Sequence, residues 1–304
     1  MDSWIKLSWS DGTDITQASY TGTFIVDVSD MVVNDAPVIQ RAVESINQIV
    51  KNNPPPYRLF VSGGIDSQAM LYAWKKSGHE FEAHSFVYDQ NMNVHDLAIL
   101  WEFAKTHNIK LRHHDISHFD FLKTDLKDYS KKYNCNSPQI TFYISMMDRF
   151  SDGTIVLSGN PPVSVPWFNF VILALERYRI LSKKHIIPFF WVNSPELAGS
   201  WAHQLQLLDH MKNKHRGIIS NQDTRVLLYL SANIPIIDSY KKSGFEKYKL
   251  YFDNYPIDQR LKVKLMLNKN NYNKSRRAYD FLFRFTLIDE NPISPSLRMI
   301  GIQQ

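Results

Sequence analysis

Apolar residues recur with two different periods near the start of the chain. Ile5, Leu7 and Trp9 would share one face of a short strand, and the alternate positions 24, 26 and 28 are all apolar and would share a face of another. Val38, Ala42 and Ile46 then recur at helical spacing, and the Asn-Asn-Pro-Pro-Pro run at 52–56 ends that pattern. Residues 1–55 are therefore predicted to form a β-rich leader followed by a helix.

The middle of the chain alternates between strand and helix patterns. The strands are predicted at 58–62, 81–88, 110–116 and 154–157, and the helices at 67–76, 94–107 and 138–150. Repetition of this kind builds right-handed βαβ units around a parallel sheet. The sequence thus predicts an α/β fold, with a parallel sheet and helices on both faces, over residues 56–165.

The strand pattern fades after about residue 165. Helical spacing is found at 169–181, 200–211 and 259–267. Residues 166–304 are predicted to be a mainly helical substrate or lid region.

Composition excludes some kinds of site. A single cysteine, Cys135, excludes an intramolecular disulfide, a four-cysteine zinc site and any mechanism that needs two thiols in one chain. His113 and His114 are adjacent on a predicted strand and should point to opposite faces, which argues against a zinc site there.

Charge and hydropathy say less about partners. The formal net charge of +5 is compatible with an anionic ligand or nucleic acid without requiring either. No apolar run approaches the ~18 residues of a membrane span. We expect a soluble, cytoplasmic protein without a membrane partner.

The segment from Ser62 to Ser67 lies between a predicted strand and a predicted helix. Gly63 and Gly64 let the backbone turn tightly and approach a ligand. The N-terminus of the following helix suits a phosphate, and the two serines add hydroxyl donors. A glycine turn whose helix is simply capped by a polar side chain is the alternative.

Asp66 is the unusual member of this segment. A carboxylate beside a phosphate is repulsive unless a cation bridges them. The segment therefore predicts Mg²⁺, with Asp66 as a metal ligand or as the neighbour of one.

The Ser62-Gly63-Gly64-Ile65-Asp66-Ser67 string resembles the pyrophosphate loop of the N-type ATP pyrophosphatases, the PP-loop superfamily of adenine nucleotide alpha hydrolase-like proteins. Its members include asparagine synthetase, NAD synthetase and tRNA lysidine synthetase. The resemblance covers about residues 57–160 and implies a HUP-like fold, with all six loop residues contacting ATP. It also implies cleavage of ATP between the α and β phosphates, transfer of AMP to a substrate oxygen and release of pyrophosphate.

The resemblance implies three further contacts. The end of the second strand, Val87 and Tyr88, would flank the adenine, and Gly159 would lie in a loop that closes on the nucleotide. Lys242 stands in a Lys-x-x-Phe segment similar to one in asparagine synthetase, where the lysine contacts phosphate, and is a catalytic candidate together with Asp66. Ordinary strand ends and a solvated lysine pair are the alternatives.

The single cysteine also selects among branches of this superfamily. Members that transfer sulfur through paired thiols need more cysteines, and so does the zinc-binding 7-cyano-7-deazaguanine synthetase branch. What remains is an AMP-forming ligase that adenylates an acceptor oxygen for attack by a nitrogen nucleophile. The acceptor could be a small carboxylate, a nucleoside carbonyl or a modified base in nucleic acid, and the nitrogen could come from free ammonia, an amino acid or an amine supplied by a partner.

Two other readings stay open. Basic residues such as Arg276 and Arg277, interleaved with aromatics, could bind nucleic acid, although the same aromatics at helical spacing are more often core. The chain could also be a non-catalytic or partner-dependent nucleotide-binding module in a larger assembly.

Overall fold

The computed structural model of the chain describes residues 4–12, 24–88, 93–117, 120–125, 128–129, 132, 138–159, 185–214, 221–237 and 297–300. The strands in these ranges are β1 (Lys6–Trp9), β2 (Phe24–Asp27), β3 (Tyr57–Phe60), β4 (Glu82–Tyr88), β5 (Leu111–Ile116), β6 (Thr154–Leu157), β7 (Ile186–Ile187) and β8 (Leu297–Ile300). The α-helices are α1 (Val38–Asn52), α2 (Ile65–Ser77), α3 (Val94–Thr106), α4 (Pro138–Met147), α5 (Pro195–Lys214) and α6 (Asn221–Ser231). Short π-helical and 3₁₀ turns cover Phe121–Asp125 and Phe190–Val192.

The larger sheet has five parallel strands in the order β5-β4-β3-β6-β7. Within this sheet, the central strand β3 comes first along the chain, followed by β4 and β5 on one side of it and then by β6 and β7 on the other side. The direction of winding therefore reverses between β3 and β6, and in sheets of this kind ligands bind at that point. The predicted α/β class with a parallel sheet is confirmed.

The two faces of this sheet pack against different helices. On one face, Leu59 and Val61 join a core with the apolar sides of α1, α2 and α3. On the other face, Phe60 and Phe86 pack with Phe142 of α4. Helices thus cover both faces. Successive side chains of a strand point to opposite faces, and apolar residues of these strands lie on each of them.

A polar network lies on the α4 face of the sheet. Glu82 is 3.3 Å from Arg58 Nε, 2.6 Å from Arg112 Nη2 and 3.2 Å from His84 Nε2. His84 Nδ1 is in turn 2.8 Å from His114 Nε2, and the two rings stack. Burial is the main cause that lowers the pKa of both histidines. The network is therefore suited to neutral imidazoles.

His113 lies on the opposite face from His114. Its Nδ1 is 2.6 Å from Ser85 Oγ, and its ring packs edge-on to Trp101. Among the described residues, no group of three His, Cys, Asp or Glu side chains could hold a metal ion.

The smaller sheet joins the two ends of the described chain. β1 pairs antiparallel with β2, and β2 pairs parallel with β8. Neither β7 nor β8 was predicted: β7 has only two residues, too few to show a period of two, and β8 lies in the region that was predicted to be mainly helical.

The described part of the C-terminal half is mainly helical. α5 confirms the helix predicted at 200–211, and α6 was not predicted. The helices predicted at 169–181 and 259–267 lie outside the described residues. No described helix has the length and apolar character needed to cross a membrane. The division of the chain into three segments stays a prediction.

Candidate nucleotide-binding site

The loop predicted to bind phosphate lies at the carboxyl end of the central strand. It follows β3 and leads into α2, at the point where the winding reverses. Gly64 is the N-cap of α2 and supplies no side-chain acceptor for the N–H groups of the first turn. A phosphate can take that role, because the positive end of the helix dipole adds to the hydrogen bonds.

Gly63 is required by a close approach of two backbones. A Cβ at this position would lie 1.8 Å from the carbonyl oxygen of Asp96 in the first turn of α3. Gly64 has an ordinary φ of −68°. The two glycines therefore differ. Packing against α3 requires a glycine at position 63, whereas the backbone conformation at position 64 does not require one.

Two serines connect the ends of the loop. Ser67 Oγ accepts a hydrogen bond from the Ser62 backbone N–H at 3.2 Å and lies 3.4 Å from Ser62 Oγ. The hydroxyls predicted as phosphate donors thus already face each other across the loop.

Gln68 holds the loop in place, a role that the sequence analysis missed. Its side-chain Nε2 donates to the Gly63 carbonyl at 2.9 Å, and its Oε1 accepts from the Ile237 backbone N–H at 2.7 Å. Because Gln68 is fully buried, these bonds fix the loop to the segment that follows α6. A glutamine in the second turn of a helix gives no signal of this role in the sequence.

Asn93 performs a similar task at the end of β4. Its Oδ1 accepts from the Tyr88 backbone N–H at 3.0 Å, and its Nδ2 donates to the Phe86 carbonyl at 2.7 Å. This side chain holds the strand end where the adenine is predicted to lie. Val87 and Tyr88 are the last two residues of that strand.

The carboxylate of Asp66 is held by α6. Tyr229 Oη donates to Oδ1 at 2.8 Å, and Arg225 Nη1 donates to Oδ2 at 3.3 Å. Trp191 Nε1 donates to the Asp66 backbone carbonyl at 3.3 Å. No signal in the sequence analysis pointed to these partners, which lie more than 120 positions further along the chain.

Tyr229 is a fixed neutral donor. Burial raises the pKa of its phenol well above the usual value, and the neighbouring carboxylate raises it further. The ring packs against Trp191 and Trp201, with centroids 5.6 and 5.4 Å away, and all three side chains are fully buried. This aromatic cluster fixes α6 beside the loop.

The donor chemistry at Asp66 fits a shared magnesium ion. Mg²⁺ prefers oxygen ligands and is usually held by one or two carboxylates together with substrate phosphates. The described residues offer no three-ligand group for a metal held by protein alone. Asp66 would therefore supply one oxygen, and the phosphates would supply others.

Gly159 follows β6 on the other side of the central strand. Its φ is +63°, and a Cβ would lie 2.4 Å from the Phe189 ring. Since β4, β3 and β6 are parallel neighbours, their ends bring Tyr88, the loop and Gly159 to one edge of the sheet. Lys242, Arg276 and Arg277 lie outside the described residues, and the site roles of all these residues stay predictions.

Comparison with known proteins supports the reading of the loop. Residues 59–136 match the family model described as Queuosine biosynthesis protein QueC, a range that includes the loop, β4, α3 and β5. No curated protein matches the chain significantly.

Two solved structures resemble the fold at low identity. The NMN synthetase from Francisella tularensis is 15% identical, with 80% of this chain and 97% of that chain covered and a TM-score of 0.33. The NH3-dependent NAD synthetase from Campylobacter jejuni is also 15% identical, with 80% and 98% covered and a TM-score of 0.38.

The assignment depends on the loop and on the family match that contains it. The strand order places the Ser-Gly-Gly-Ile-Asp-Ser segment at the reversal of the sheet, where the predicted phosphate loop should lie. The loop and the match over residues 59–136 therefore support the similarity of this α/β domain to the N-type ATP pyrophosphatase, or PP-loop, superfamily.

Proposed function

We propose that this protein is an ATP-dependent, AMP-forming ligase, which adenylates an acceptor oxygen for attack by a nitrogen nucleophile. The observation that carries the proposal is the PP-loop itself, at the reversal of the sheet and inside the range of the family match. The packing of Gly63 against α3 supports it, because the loop backbone is fixed before any ligand binds.

The proposed reaction has two steps. The acceptor oxygen attacks the α-phosphorus, the bond between that phosphorus and the oxygen bridging to the β-phosphate breaks, and pyrophosphate leaves with the electron pair. The nitrogen nucleophile then attacks the activated carbon, the carbon–oxygen bond breaks, and AMP leaves while the nitrogen loses its proton to solvent. Adenylation thus converts a poor leaving group into a good one.

The chain contributes positioning and charge neutralisation. Residues 62–67 and the N-terminus of α2 hold the phosphates, with Val87, Tyr88 and Gly159 beside the nucleoside. Mg²⁺, when bound at Asp66 and the phosphates, neutralises their charge. Lys242 is a further cation for the α-phosphate.

The experiment is a product assay with ATP, Mg²⁺ and a panel of acceptors, comprising small carboxylates, nucleosides and RNA, each with and without ammonia. We expect AMP and pyrophosphate in equal amounts, and Asp66→Ala should abolish both. Glu44→Ala is the matched control, since it removes another carboxylate paired with an arginine, Arg41, on α1. ADP as the product would overturn the α–β cleavage.

Two outcomes of this assay would change the proposed function. ATP binding without turnover across all acceptors and added cell extract would favour a non-catalytic nucleotide-binding module. If the acceptor is a nucleic acid, the protein should bind it with an affinity that falls steeply as the salt concentration rises and that depends on Arg276 and Arg277.

A further inference from the structure

Two different kinds of group hold the Asp66 carboxylate. Tyr229 is fully buried, neutral and 2.8 Å from Oδ1. Arg225 is charged, its side chain is 30% exposed, and it lies 3.3 Å from Oδ2. The tyrosine contact is short and fixed by the aromatic cluster, whereas the arginine contact is long and open to solvent.

The position of Arg225 is unusual for a merely structural ion pair. Asp66 is the second residue of α2 and belongs to the loop of residues 62–67, so its guanidinium partner lies beside the predicted phosphate site. Guanidinium groups bind phosphate oxygens in a bidentate fashion, and such bonds are stronger than a single long contact. A polyphosphate in the loop therefore competes with Asp66 for Arg225.

The charges also favour an exchange. A magnesium ion held by Asp66 and the phosphates would share that carboxylate with the guanidinium, and two cations on one carboxylate repel each other. When Arg225 moves to a phosphate, this repulsion is relieved and the phosphate gains a counter-ion. Tyr229, being neutral, is compatible with both arrangements.

We propose that Arg225 exchanges the Asp66 carboxylate for the polyphosphate of ATP when the nucleotide binds, while Tyr229 keeps Asp66 in place. Arg225 is then a phosphate-binding residue contributed by α6, which lies outside the range of the family match. The inference rests on the ATP binding of the proposed function.

The first test compares ligand affinities by calorimetry in the presence of Mg²⁺. Arg225→Gln should weaken binding of ATP and of pyrophosphate at least tenfold and leave adenosine unchanged, and Arg225→Lys should fall between. Arg41→Gln is the matched control, because Arg41 has a similarly exposed side chain (27%) and also pairs with a carboxylate. Unchanged ATP affinity in Arg225→Gln would overturn the inference.

A second test separates a direct contact from an effect through Asp66. In EDTA, with pyrophosphate as the probe, Asp66→Asn should tighten binding several-fold because the competing carboxylate is gone. Adding Arg225→Gln to Asp66→Asn should remove that gain. If the double variant binds pyrophosphate as well as Asp66→Asn, Arg225 does not contact phosphate.

The two proposals can fail separately. A wild-type protein that binds neither ATP nor pyrophosphate refutes the proposed function. A wild-type protein that binds both, with no loss in Arg225→Gln, refutes the exchange alone.

Discussion

Gly63 offers the most direct check on the geometry of the loop. Gly63→Ala adds one methyl group where the loop backbone approaches the first turn of α3. The new Cβ would lie 1.8 Å from Asp96 O and 2.9 Å from Asp96 Cα. It must therefore retreat by about 1.2 Å to reach the 3.0 Å below which such contacts are essentially never found.

The cost follows from what has to move. Both partners are backbone, so no side chain can rotate away, and the loop must separate from α3. Overpacking of a well-packed site costs about 1–3 kcal/mol, and the absence of a flexible neighbour puts this case near the upper end. We expect Gly63→Ala to lower the free energy of unfolding by about 3 kcal/mol and to lose ATP affinity, because the displaced loop no longer fits the phosphates.

Gly78→Ala is the control for backbone strain alone. Gly78 has a φ of +75°, with nothing within 4 Å of an added Cβ. Alanine there should cost about 1–2 kcal/mol and leave ATP binding intact. Urea unfolding and ATP calorimetry on both variants measure the difference, and a Gly63→Ala protein as stable as wild type with full ATP affinity would refute the reasoning.

Three further outcomes are expected. Tyr229→Phe removes a buried donor to the Asp66 carboxylate and should cost roughly 1.5–3 kcal/mol in urea unfolding; unchanged stability would contradict the contact. Burial lowers the pKa of His84 and His114, so the unfolded chain takes up protons first as the pH falls through about 6.5. The free energy of unfolding should then decrease, by up to about 1.4 kcal/mol per pH unit for each histidine until its folded pKa is reached. Replacing both histidines by glutamine should reduce the difference in melting temperature between pH 7.5 and pH 5.5. Gly159→Ala should cost about 2 kcal/mol, because it combines a positive φ with a clash against a neighbouring ring; a melting temperature equal to that of wild type would show that the ring moves aside.

The sequence was sufficient for the elements whose signals are local. A short apolar run located β6 at its exact bounds, and helical spacing located α3 to within one residue. The glycines and serines of residues 62–67 also form a local pattern, so the loop could be identified from the sequence as a candidate phosphate-binding site.

What the sequence could not supply depends on contacts between distant segments. Arg225 and Tyr229 reach Asp66 across more than 150 positions, and nothing near them indicates a partner. Gln68 and Asn93 look like ordinary polar residues of a helix and a helix start. Their roles come from the packing that brings backbone groups within their reach, which no local period encodes.

The pairing of β2 with β8 has a consequence for how the protein is made. Phe24 lies opposite Leu297, so this contact closes a loop of nearly the entire chain. The entropic cost of closure grows only with the logarithm of loop length, but the contact cannot form until the last strand has left the ribosome. The strands of the parallel sheet end at residue 187, so this sheet can pair during synthesis before β8 is made, and the smaller sheet is completed later. Until then β2 is without its parallel neighbour, and its exposed edge is open to pairing with another copy of the nascent chain.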